Sequence, residues 1–114
     1  MNETPPEQAV PPQANWGSEV PIVMNMRWAG VTKEQYDQAL KEVRWETDLP
    51  NGAKFHVAAF DDKGLLVTDV WDTAEDFNRF VEQRLTPGVE KVGIQGQPEV
   101  VITPTHRIFA PNPK

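Results

Sequence analysis

Two β-rich runs, residues 54–61 and 65–72, are separated only by the turn sequence Asp62-Lys63-Gly64, and that spacing constrains the fold most. A connection so short can close only a hairpin, so the two runs are antiparallel neighbours. A helical pattern lies on either side. Upstream, Thr32 and Gln35 have capping-box spacing, and Tyr36, Leu40 and Val43 recur at helical intervals through about residues 33–44. Downstream, Thr73 precedes a stripe of Phe77, Phe80, Val81 and Leu85, with Glu75 and Asp76 suited to the start of a helix.

The outer segments complete the pattern. In residues 20–28, Ile22, Met24, Met26 and Trp28 share one parity, while Val23, Asn25 and Arg27 share the other. This predicts a first strand. Pro50 with Asn51-Gly52 separates the first helix from the hairpin. Pro87-Gly88 is expected to break the second helix, with Val89, Val92 and Ile94 forming a further short turn. Residues 98–109 supply a last strand, bent at Pro104. The order β-α-β-β-α-β predicts an α+β, ferredoxin-like domain with a four-stranded antiparallel sheet and two helices on one face.

Residues 1–19 contain two Pro-Pro pairs and, after Met1, scarcely any large apolar groups except Val10 and Trp16. They cannot bury enough surface to offset the entropy of ordering, so a disordered leader is expected, followed by one domain over residues 20–114. A net charge of −6 disfavours nucleic acid and anionic lipid as partners. No run of roughly 18 apolar residues suggests a membrane span. The absence of cysteine excludes disulfides and thiolate chemistry and suits a cytoplasmic setting. The sequence suggests neither a metal site nor a resident cofactor.

If Lys63 and Gly64 are the central turn residues, Phe60 opposes Val67, Ala58 opposes Asp69 and His56 opposes Trp71. The opposite sheet face then carries Phe55, Val57, Ala59, Thr68 and Val70 and is the one expected to receive the helices. The face of Phe60, Val67 and Trp71 would be too apolar for water, which predicts a homodimer sealed through it. The chamber so formed would lie between sheet and partner or, within each half, between sheet and helices. His56 is expected on the chamber face and not against the helices.

His56 is the leading candidate catalyst, because imidazole exchanges protons near neutral pH, and Asp69, diagonally placed across the hairpin, could orient it. The alternative is a hydrogen-bonded structural histidine. Asn25 and Arg27 could hold an oxyanion or carbonyl, or Arg27 could simply form an ion pair. Phe60 and Trp71 could contact a small aromatic ligand, with Trp28 as a further stacking surface, or could serve packing alone. His106 reads as a surface or interface residue.

Pro21-Ile22-Val23-Met24, the hairpin of residues 55–71 and the step Trp71-Asp72-Thr73 into the second helix resemble the dimeric α+β barrel superfamily, near antibiotic-biosynthesis-monooxygenase-like bacterial proteins. The resemblance covers about residues 20–109. It implies a dimeric barrel and a cofactor-free, monooxygenase-like enzyme acting on an aromatic or polyketide-like substrate. Non-catalytic binding of an aromatic ligand or haem, or a structural dimer, is the alternative. The only tyrosine, Tyr36, falls on the helix stripe that faces the sheet, outside the expected chamber.

Overall fold

The structure, a computed structural model, describes residues 20–109 and residue 111. The expected leader lies outside the described residues. The elements run β1 (Ile22–Ala29), α1 (Lys33–Val43), β2 (Ala53–Asp61), β3 (Gly64–Trp71), α2 (Ala74–Phe80), a π-helical segment (Val81–Leu85), α3 (Thr86–Val92) and β4 (Glu99–Pro104). The sheet is antiparallel, in the order β2-β3-β1-β4. This is the α+β, ferredoxin-like arrangement expected from the order of the sequence patterns. None of the described helices is long and apolar enough to cross a membrane.

Local chemistry explains the helix ends. The Thr32 hydroxyl accepts from the Gln35 N–H, and the Gln35 side chain accepts from the Thr32 N–H, completing the capping box of α1. Arg44 ends that helix in the left-handed region, at φ +60°. Arg84, from the π-helical segment, donates to the carbonyls of Val43 (3.1 Å) and Asp48 (2.6 Å), so its guanidinium satisfies one acceptor that the end of α1 leaves open and one from the loop that follows. Thr73 caps α2 by accepting from the Asp76 N–H at 2.9 Å.

The second helical region does not break at Pro87-Gly88. Backbone angles stay right-handed helical at Val81 and Thr86, and the Thr86 N–H donates to the Val81 carbonyl, five residues back. That wider turn sits immediately before Pro87, which falls in the first turn of α3, where a missing N–H costs least. Gly88 then lets α3 approach α1 closely: a Cβ there would lie 3.0 Å from Val43 Cγ1.

The hairpin register differs by two residues from the expected one. Asp61 pairs with Gly64, so Asp62 and Lys63 are the central residues, and His56 stands directly opposite Asp69. The Asp61 carboxylate explains the shift. It accepts from the Lys63 N–H at 2.9 Å and from Arg27 at 2.6 and 3.0 Å, pinning the turn one residue early. Gly64 opens β3 at φ +123°, where a Cβ would meet the Trp28 carbonyl oxygen at 2.7 Å.

The expected assignment of sheet faces is overturned. The helices cover the face of His56, Phe60, Val67, Asp69 and Trp71, while Phe55 and Val57 on the other face are about half exposed. Strand β1 accounts for this. Its heavier parity aligns Ile22 with Trp71, Met24 with Asp69 and Met26 with Val67, so the bulkiest apolar surface of three strands lies on one side. Burying that side removes the most apolar area from water. Phe77 and Phe80 of α2 and Val43 of α1 close over it.

Candidate functional site

Three elements bring polar groups together inside this otherwise apolar core. Asp69 on β3 is buried, and both of its carboxylate oxygens are engaged. The Trp71 indole N–H donates to Oδ2 at 3.0 Å, and His56 Nδ1 on β2 lies 2.6 Å from Oδ1. On the far side of the ring, His56 Nε2 is 2.6 Å from the hydroxyl of Tyr36 on α1. The result is a line of hydrogen bonds from Trp71 through Asp69 and His56 to Tyr36.

Carboxylate chemistry sets the direction of that line. An ionised carboxylate only accepts, so His56 Nδ1–H donates to Asp69, and in the uncharged ring Nε2 is the remaining acceptor. Tyr36 is therefore the donor to Nε2. Its hydroxyl is pushed up to about 12, first by burial and then by the nearby charges of Asp69, Glu46 and Asp37, so it keeps its proton throughout the neutral range.

Aromatic packing fixes the imidazole. The Tyr36 and His56 rings are parallel within 2°, with centroids 6.1 Å apart, and the Trp45 ring lies 4.9 Å from the His56 ring. Trp45 also meets Trp71 and Phe80 edge-on, tying the site to the core. Beside the line lies a cavity of about 70 Å³ between sheet and helices, bounded by Tyr36, His56 and Asp69 and otherwise mainly by apolar side chains such as Met24, Leu40 and Val67. Among the described residues, no group of three or more His, Cys, Asp or Glu gathers as metal ligands would.

The structure brings together His56 and Asp69, as the sequence suggested, but against the helices and not beneath a partner. Phe60 stays at the margin, edge-on to Tyr36. Trp71 is fully buried behind Asp69 and offers no surface to a ligand. Asn25 and Arg27 do not join the site. By the parity of β1 they lie on the opposite face, where Asn25 accepts from the Thr68 hydroxyl and Arg27 pairs with Asp61. His106 lies beside a separate, open cleft on that same face.

Sequence reasoning missed Tyr36 and Trp45. Tyr36 was readable, since its stripe faces the sheet; only the wrong sheet face kept it from His56. Trp45 lies just beyond the end of α1, where helical periodicity carries no information.

No protein-family model matches the chain, and no curated protein matches it. Solved structures do. SnoaB, a cofactor-independent oxygenase from Streptomyces nogalater, superposes with a TM-score of 0.55 at 15% identity over 82% of this chain and 97% of that one. A monooxygenase from the gene ActVA-Orf6 of Streptomyces coelicolor, in complex with nanaomycin D, gives 0.50 at 13% identity over 83% and 95%. The hydroxynitrile lyase of Passiflora edulis gives 0.52 at 12% over 82% and 99%. The likeness is one of fold, the α+β, ferredoxin-like arrangement described above.

Proposed function

We propose that this chain is a cofactor-free, monooxygenase-like enzyme that activates an aromatic substrate by taking a proton through Tyr36 onto His56. The observation that carries this reading is the Asp69–His56–Tyr36 line, which ends at the wall of an apolar cavity. The fold shared with two oxygenases of the kind named above supports the reaction type.

A phenolic hydroxyl set against Tyr36 gives its proton to the Tyr36 oxygen as the Tyr36 proton passes to His56 Nε2. Asp69 stabilises the imidazolium so formed. The phenolate is electron-rich. Dioxygen takes one electron from it and then bonds to the ring carbon para to the oxygen. The hydrogen of that carbon passes as a proton to the outer peroxide oxygen as the O–O bond breaks, so that hydroxide leaves and takes up the imidazolium proton to become water. One dioxygen thus supplies one quinone oxygen and one water, and the phenol is oxidised to the quinone.

Oxygen-electrode measurements with electron-rich phenols of one to three rings test the reading. Uptake equal to the quinone formed, with one labelled atom from ¹⁸O₂ in the product, is expected. No uptake above buffer with any phenol would overturn it. The haem alternative fits poorly: both His56 nitrogens are engaged, and a space of about 70 Å³ does not take a tetrapyrrole.

The homodimer is proposed through the other sheet face. The seam expected at Phe60, Val67 and Trp71 is covered by the chain's own helices, whereas Phe55, Val57 and Val101 are 51%, 46% and 59% exposed. Light scattering should report a dimer at micromolar concentration, and Val57→Asp should yield a folded monomer. A wild-type monomer would refute the assembly.

A further inference from the structure

We infer that the substrate is a neutral molecule of no more than one ring, bearing a single hydroxyl that points at Tyr36; this rests on the oxygenase reading above and narrows it. Size is the first argument. A rigid apolar cavity of about 150 Å³ is the kind that binds benzene, and the space here is about 70 Å³. Met24 and Met26, both lining it, are flexible enough to yield for one ring. A second fused ring would also press on neighbours such as Val67 and Phe80, whose branched or ring side chains lack the three rotatable bonds by which methionine repacks.

Charge is the second argument. None of the residues lining the cavity is Lys or Arg, and the carboxylates of Asp69, Glu46 and Asp37 all act on Tyr36. An anionic ligand would enter a dry site beside negative charge without a partner. A cationic ligand fares no better. An ammonium has three N–H groups to satisfy, and Asp69, the only carboxylate lining the cavity, already spends one acceptor site of each oxygen on His56 and Trp71. The Tyr36 oxygen, at the cavity wall, has lone pairs to accept one hydroxyl while its proton faces His56.

Calorimetric titration of the full chain with phenol, 1-naphthol, salicylate and tyramine tests this directly. Phenol is expected to bind at least tenfold more tightly than salicylate or tyramine, and 1-naphthol no more tightly than phenol despite its larger apolar area. Tighter binding of 1-naphthol or of either charged ligand would overturn the inference, as would no binding of phenol. Ala39→Leu, which adds bulk to the cavity wall, should lower phenol affinity at least tenfold with an unchanged circular-dichroism spectrum. If that variant fails to fold, Leu40→Phe serves the same purpose, and unaltered phenol affinity in a folded variant would count against the site. Oxygen uptake with 2-methoxyphenol and 1-naphthol separates the two readings. Phenol binding in the expected order without any uptake leaves this inference standing and removes the oxygenase. Faster turnover of 1-naphthol than of 2-methoxyphenol removes this inference and leaves the oxygenase.

Discussion

Asp69→Ala is expected to destabilise the fold by about 3 kcal/mol and to abolish turnover, because it strands two donors at once. The Trp71 indole N–H and the His56 Nδ1–H both point at this buried carboxylate, and alanine leaves neither of them a side-chain acceptor. Urea denaturation would show the loss as a lower midpoint at unchanged slope. Asp69→Asn separates stability from chemistry. Its amide oxygen can still accept from Trp71, but its NH₂ faces His56 Nδ1, so the ring must move its proton to Nε2. The line then runs backwards, with His56 donating to Tyr36 and unable to receive a proton from it. Stability should fall by only about 1 kcal/mol, while kcat falls on the order of 10²- to 10⁴-fold. A variant that keeps kcat would show that the tautomer is irrelevant.

The second large effect is expected at the imidazole itself. His56→Gln should lower kcat on the order of 10²- to 10⁴-fold with little change in KM, since it removes the proton acceptor and not the apolar walls. Tyr36→Phe should match the loss in kcat, because a phenyl ring cannot pass the proton on, and should also raise KM, because the hydroxyl that meets the substrate is gone. The two losses should not add in the double variant, since each breaks the same line. The competing description is a structural hydrogen-bond network. It predicts a stability loss of about 1 to 3 kcal/mol for His56→Gln with ligand affinity and oxygen uptake intact, and that pair of results would remove His56 as a catalyst.

The sequence revealed most where local chemistry decides the outcome. The Thr32–Gln35 capping box, the strand parities and the hairpin followed from side-chain identity and spacing. The register required a contact between distant segments. Arg27 on β1 holds Asp61, and no property of the hairpin alone distinguishes a turn centred on Asp62-Lys63 from one centred on Lys63-Gly64. Because the slip was of two residues, His56 and Asp69 kept a common face, and their partnership survived the error. The choice of covered face depended on adding β1 to the hairpin. Met24 and Met26 outweigh Phe55 and Val57 only when all three strands are summed. Asn25 and Arg27 dropped out of the site for the same reason: parity was readable, but the side to which it pointed was not.

The five residues from Val81 to Leu85 make the length of the chain a specified quantity. Each α-helical residue turns the screw by about 100°, so the wider π turn rephases α3 relative to α2. Phe77 and Phe80 can thereby face the sheet while Gly88 faces Val43. Removing one residue from this stretch would restore a regular spiral and swing α3 about a quarter-turn. A residue carrying a Cβ would then arrive where even that one atom has only 3.0 Å of clearance from Val43. Surface loops of this protein can change length at modest cost, but here a deletion acts as a rotation, and it would be felt at the wall of the cavity that Leu85 and Val89 help to close.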